Sequence, residues 1–232
     1  MYAKSANVAA VEKWFGIESK CESWDEAGDL PEIRGEEIVL ITGPSGAGKS
    51  RLLRRMRDRF RLVGEGRWIE LESIRLPDRA AVDCFGRARL QRVLEMLGRM
   101  GLGEAWTYLR RPWQLSEGER WRMRLAKAVD KLKGKRRKLK VGDAVDVMAA
   151  DEFCAVLDRV TACVVARNLR KVVDAMGTIG VVVATSHDDL ELALKPNVIV
   201  RCDFQGKWTV TRDERPAATG RAAGRNCGSG CK

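Results

Sequence analysis

The chain has 232 residues, 45% of them apolar, with 43 Lys and Arg against 32 Asp and Glu and a formal charge of +11. That is enough apolar material for one domain, or one domain with a small subdomain, and it excludes wholesale disorder. The longest apolar runs, 38–41 and 179–184, fall far short of the roughly 20 residues a bilayer requires.

Residues 1–34 read as a short amphipathic helix, with Val8, Val11, Trp14 and Phe15 on one side, and a loop. Residues 37–42 form a buried-type strand, followed at once by a glycine-rich turn. The next helix spans about 49–60, with Leu52, Leu53, Met56 and Phe60 on one face and Arg51, Arg54, Arg55, Arg57 and Arg59 around the rest. The segments 67–73 and 80–85 are short strand candidates. Residues 86–113 are helical in character, and Leu115 leads into a helix to about Leu132. Strands follow at 145–150 and 179–185, separated by a helix from Arg159 to Met176 that Gly177 stops. Residues 198–204 and 207–211 make a hairpin across Gln205 and Gly206. Strands alternating with helices predict an α/β fold with a largely parallel sheet.

Gly43-Pro44-Ser45-Gly46-Ala47-Gly48-Lys49-Ser50 fits G-x-x-x-x-G-K-[ST] between a strand and a helix, the context this pattern needs. Its glycines let successive N–H groups turn inward around a polyphosphate, and the helix start adds its positive dipole end. Lys49 reaches the β- and γ-phosphates, and Ser50 gives an oxygen to Mg²⁺. Nucleotide kinases share this loop, so three further features decide the reaction. The apolar run 147–150 ends in Asp151, placed to hold Mg²⁺, and Glu152, placed to polarise a water in line with the γ-phosphate. His187, the only histidine, follows the strand 179–185 and can reach a γ-phosphate oxygen. Leu115-Ser116-Glu117-Gly118-Glu119-Arg120 opens a helix. Ser116 and Glu119 have capping-box spacing, which leaves Gly118 unexplained unless a phosphate approaches the backbone there.

Taken in order, these motifs resemble the ABC-type ATPases over about residues 35–204. The runs 151–170 and 184–190 are similar, more narrowly, to a soluble branch often fused to a predicted acetyltransferase domain. The resemblance implies a P-loop NTPase with a mostly parallel sheet flanked by helices and a small helical subdomain carrying the signature motif. It implies ATP and Mg²⁺ as ligands and hydrolysis of the β–γ bond by a head-to-tail dimer. Lys49, Glu152 and His187 would be catalytic, and Ser50 and Asp151 would hold the metal. Gly43 through Ser50, Arg51, Ser116, Gly118 and Asp158 would bind nucleotide, with Ser116 and Gly118 acting on the partner's ATP and 155–158 crossing the interface. Four departures stand out. Glu117 and Glu119 stand where the common signature has Gly and Gln. The family's glutamine loop has no match, and Asp83 stands near its place. Phe153 replaces the usual proline after the carboxylate pair, and Arg51 replaces a frequent threonine. Trp24 is a candidate to stack on adenine.

The expected organisation is an N-terminal helix and loop (1–34), an ATPase domain (35–213) with a helical subdomain at 86–133, and a disordered basic tail (214–232). The basic insertion 131–140 has cations at seven of ten positions. It and the net charge point to nucleic acid as a partner of a soluble mechanical or regulatory ATPase. The alternative is the ATP-binding subunit of an ABC transporter. Trp106, Trp113 and Trp121 are expected in the core by their helical spacing. Cys227 and Cys231 lack further ligands at zinc spacing. Seven scattered cysteines form no disulfide framework, and no basic, apolar secretory start is present. The expected setting is therefore cytoplasmic, without membrane insertion.

Overall fold

The computed structural model describes residues 5–16, 29–63, 66–133, 145–204 and 206–213. The basic run beyond Lys133, the tail from 214, and Trp24, Cys227 and Cys231 lie outside the described residues.

An N-terminal helix, α1 (Ala6–Phe15), is capped by Ser5 and stopped by Gly16, and it buries no residue. The sheet then opens with β1 (Ile38–Thr42), followed by α2 (Lys49–Val63) and β2 (Trp68–Glu70). Two 3₁₀ turns, Leu71–Ser73 and Ala81–Phe85, lead into α3 (Leu90–Arg99) and α4 (Ala105–Leu109). After α5 (Glu117–Lys133) come β3 (Asp146–Ala150), α6 (Arg159–Met176), β4 (Ile179–Thr185) and α7 (Leu190–Leu194). The hairpin β5 (Val198–Cys202) and β6 (Trp208–Arg212) closes the described chain.

The sheet has six strands in the order β2-β3-β4-β1-β5-β6, parallel except for the β5–β6 pair. Parallel strands with both faces covered are apolar throughout, as every residue of β1 and β4 is buried. Strand periodicity splits them between two layers. Ile38, Leu40, Met148, Val181 and Val183 face α5 and α6. Val39, Ile41, Ala149, Val182 and Val200 face Leu52, Leu53 and Met56 of α2. The crossovers bring the carboxyl ends of β1, β3 and β4 side by side, the place where open parallel sheets bind ligands.

Several expectations need correction. The segment 80–85 is not a strand but a 3₁₀ turn, with Ala81, Cys84 and Phe85 buried under the helical layer. Of 67–73, only Trp68–Glu70 pairs, with β3. α7 carries no signal of its own at five residues. Trp121 packs in the core as expected, but Trp106 and Trp113 do not: they are 75% and 67% exposed. Trp106 sits on the five-residue α4 and Trp113 on a 3₁₀ turn, Pro112–Gln114, elements too short for helical spacing to set their burial.

Candidate nucleotide site

The loop 43–48 runs straight from β1 into α2. Gly46 and Gly48 have φ of +83° and +86°, which turns the intervening amides toward one centre. Ala47 is buried beneath the loop and anchors it to the α2 side of the sheet. Lys49 is folded across the loop, its Nζ donating to the carbonyls of Gly43 (2.7 Å) and Pro44 (2.8 Å). An ammonium held by two neutral carbonyls is ready to turn onto phosphate oxygens.

The loop borders a cleft of about 470 Å³. Ser45, Gly46, Gly48, Lys49 and Ser50 line one side, with Arg51 and Arg54 of α2 beyond them. Asp151, Glu152 and Ala155 come from the end of β3, and Thr185 and Ser186 from the end of β4. The cleft is therefore cationic along α2 and anionic opposite, with hydroxyls between. A second cavity, of about 310 Å³ and floored by Met56, Phe60 and Val63, lies away from the loop and offers no comparable amides.

Asp151 is half-buried and accepts the Glu152 amide at 3.0 Å. Glu152 is exposed, with φ +46°. A non-glycine residue held in that conformation is strained, as groups at reactive sites often are. Two contacts hold the turn. The Phe153 amide donates to the Ala184 carbonyl at 2.8 Å. The fully buried Phe153 ring meets Trp121 of α5 edge-on, with centroids 5.4 Å apart. The Phe153 departure thus has a packing reason.

Thr42 and Thr185 are register partners at the ends of β1 and β4, and both are buried. Thr42 Oγ1 donates to Asp188 (3.2 Å), and Thr185 Oγ1 accepts the His187 amide (3.2 Å). These bonds fix the loop carrying His187, which is half-buried; its neighbour Ser186 lines the cleft but His187 does not.

Ser116, Gly118 and Asp158 do not line this cleft. The capping box at Ser116 is real: its amide donates to Glu119 Oε2 (2.8 Å), and its Oγ accepts the Glu119 amide (3.2 Å). The first bond holds the Glu119 carboxyl below the usual carboxylate range. Ser116 is exposed, and its O–H can still donate outward. Gly118 has a further reason within its own subunit. A Cβ there would come within 3.0 Å of Leu157 Cδ2 and 3.4 Å of the Val156 carbonyl, so the 155–158 loop packs on the glycine. The Asp158 carboxylate caps α6 by accepting the Thr161 amide at 2.9 Å.

Sequence reasoning missed three groups. Arg54, one turn beyond Ser50, was visible from helical spacing. Asp188 carried no signal except its place beside His187. Glu72 lies in the first 3₁₀ turn, and its Oε1 accepts the Asp151 amide at 3.0 Å. Desolvation pushes its carboxyl above the usual range, against the pull of its amide bonds. Asp83 is exposed in the second turn, and among the described residues no hydrogen bond joins it to Asp151 or the loop.

No protein-family model matches the chain. It is 33% identical over 205 residues to the lipoprotein-releasing system ATP-binding protein LolD of Maricaulis maris, covering 70% of this chain and 83% of that protein. It is 30% identical over 194 residues to LolD of Paramagnetospirillum magneticum, covering 68% and 79%. Among solved structures, the dimeric bacterial ABC transporter cassette MJ0796 superposes with a TM-score of 0.57 at 20% identity, over 78% of this chain and 88% of that one. The cbiO1 protein of Clostridium perfringens superposes with a TM-score of 0.53 at 15% identity, over 78% and 79%. These structural likenesses confirm the α/β P-loop NTPase fold. With a phosphate loop, a carboxylate pair and a histidine loop gathered at one sheet edge, and with LolD relatives matched over most of their length, the chain belongs to the ABC-type ATPases, enzymes that bind and hydrolyse ATP.

Proposed function

We propose that this chain is the ATP-binding subunit of an ABC transporter, working as a head-to-tail pair that closes on two ATP molecules and opens after hydrolysis. The observation that carries this is the 33% identity to LolD, by name the ATP-binding protein of a lipoprotein-releasing system. The dimeric MJ0796 cassette supports the pairing. Two exposed aromatics of the helical layer, Trp106 and Trp113, with Leu109, offer an apolar surface of the kind a partner subunit covers. No helix among the described residues is long and apolar enough to cross a membrane.

The donor set around the loop is hard oxygen throughout, from the Ser50 hydroxyl and the Asp151 carboxylate, which suits Mg²⁺. When bound, the metal neutralises charge on the β- and γ-oxygens. Loop amides of 46–50 and the Lys49 ammonium hold the phosphates, with Arg51 beside them. The Glu152 carboxylate takes the proton of the attacking water. The water oxygen bonds to the γ-phosphorus as the bridging β–γ oxygen leaves with ADP. His187 contacts the γ-phosphate, so its loop reads whether that group is present. Ser116 and Gly118 complete the partner's site, and the 155–158 loop with Asp158 crosses between the two.

The nucleic-acid reading rested on net charge and the 131–140 run. The relatives' names favour a transporter subunit instead. The resemblance to the soluble, acetyltransferase-fused branch is likewise not echoed in those names. Gel filtration of Glu152→Gln with and without Mg-ATP tests the pairing, and detergent co-purification from native membranes tests the partner. An ATP-induced dimer that brings down a membrane-spanning subunit is expected. A Glu152→Gln protein that stays monomeric with ATP, or a dimer that retains nucleic acid and no membrane subunit, would overturn the proposal.

A further inference from the structure

We propose that Arg54 of α2 is a γ-phosphate ligand supplied by the same subunit that holds the nucleotide, and that it sharpens the preference of the cleft for a nucleoside triphosphate over a diphosphate. This rests on reading the cleft around Lys49 as the ATP site.

α2 buries Leu52, Leu53 and Met56 against the sheet, so its arginines divide among the remaining directions. Most are engaged away from the cleft. Arg55 lies over the Trp208 ring, 5.3 Å from its centroid. Arg57 donates to Asp58 and to Glu70, both at 3.0 Å. Arg59 donates to the Leu30 carbonyl at 3.5 Å. Arg54 is exposed and lines the cleft, and among the described residues no hydrogen bond or ion pair engages it. Asp58, the acid one turn further along the same face, is taken by Arg57.

Helix geometry says where the Arg54 charge goes. Arg54 follows Ser50 by four residues and shares its face, and long helical side chains lean over the turn on their N-terminal side. The guanidinium therefore extends back along α2 toward Ser50 and the phosphate loop. Asp151 and Glu152 line the same cleft from the end of β3. With Ser50 and Asp151 holding the metal and Glu152 the attacking water, the part of ATP that comes between these groups and α2 is its terminal phosphate. Two carboxylates repel that phosphate, and a guanidinium on the facing wall offsets the repulsion. Lys49 supplies a point charge there. Arg54 adds a planar fork that fits two phosphate oxygens at once. ADP places no group in that position, so the contact favours ATP alone.

Arg54→Gln removes the charge at an exposed position, where the fold does not depend on it. Equilibrium titration with fluorescent ATP and ADP analogues, in EDTA and in Mg²⁺, reads the contact without turnover. Arg54→Gln is expected to weaken ATP about tenfold in EDTA, the loss of one charged hydrogen bond, and less in Mg²⁺, which neutralises the same oxygens. ADP affinity should be unchanged. Arg54→Lys, which keeps the charge and loses the fork, should fall between. Arg61→Gln, an equal loss of charge in the last turn of the same helix and outside the cleft, should match wild type. Equal weakening of ATP and ADP by Arg54→Gln, or a loss of ATP affinity no greater than that of Arg61→Gln, would overturn the proposal. Wild-type protein that binds neither analogue would instead refute the ATP site itself.

Discussion

Replacing Gly118 with alanine sets two effects against each other. Alanine gains up to about 1 kcal/mol over glycine inside a helix, less in a first turn. The new Cβ would sit 3.0 Å from Leu157 Cδ2 and 3.4 Å from the Val156 carbonyl. The leucine tip can rotate away, whereas the carbonyl belongs to backbone and moves only with the 155–158 loop. Overpacking of this kind costs about 1–3 kcal/mol, so the net change in stability is a loss of about 0–3 kcal/mol. Function should suffer far more. The loop that shifts holds Ala155 in the nucleotide cleft and Asp158 at the cap of α6. Urea unfolding, ATP binding by the single subunit, and steady-state hydrolysis measure the three quantities separately. The expected pattern is a stability loss within that range, intact binding and turnover reduced at least tenfold. Wild-type turnover in a folded Gly118→Ala protein would show that the contact between loop and helix start has no bearing on catalysis.

Glu152→Gln should lower hydrolysis by about 10²–10⁴-fold, the range for loss of a general base, while an equilibrium titration shows ATP affinity retained. Phe153→Ala removes a fully buried ring and its edge contact with Trp121. Chemical denaturation should register a loss of about 3–5 kcal/mol. The Glu119 carboxyl is held below its usual value by the Ser116 amide. A depressed acid contributes stability above its unfolded value, near 4.5, and loses it as pH falls through the lower folded value. Thermal melts of Glu119→Gln between neutral pH and pH 3 should therefore show a shallower acid-side decline than wild type, and an unchanged slope would contradict the capping bond.

The strands and the site edge were legible because their signals are local. β1, β3 and β4 are nearly continuous apolar runs, and the phosphate loop, the Asp151–Glu152 pair and the His187 loop follow directly on them in the sequence. The phosphate loop carries its own geometry in its glycines. What escaped was nonlocal or too short for periodicity. Glu72 matters only because β2 pairs with β3, a fact its own turn does not announce. Trp106 and Trp113 looked like core by spacing, but α4 and the Pro112–Gln114 turn are too brief to have a buried face. Gly118 was read for what approaches from outside. Its tightest neighbour is Leu157, thirty-nine residues later in the same chain.

These nonlocal contacts converge on one helix. The turn at Leu71–Ser73, whose Glu72 accepts the Asp151 amide, packs on α5. The strained turn at Glu152 reaches the same helix through Phe153 and Trp121. The loop after it rests on Gly118, at the head of that helix. A well-packed interior transmits displacement because it has no slack to absorb it. Any shift of the Asp151–Glu152 turn that accompanies loss of the γ-phosphate must therefore move α5 or open a void beneath it. The head of α5 carries Ser116, which faces outward. In the proposed head-to-tail pair, each subunit would thus tie the state of its own nucleotide to the half-site it presents to its mate, through three separate contacts. Enlarging Trp121's surroundings by Phe153→Leu would loosen one of them. Double-electron resonance distances between spin labels at the two Ser116 ends should then separate less per hydrolysis event, with single-subunit ATP affinity unchanged. Equal separation in Phe153→Leu and wild type would remove this contact from the coupling and leave the other two to carry it.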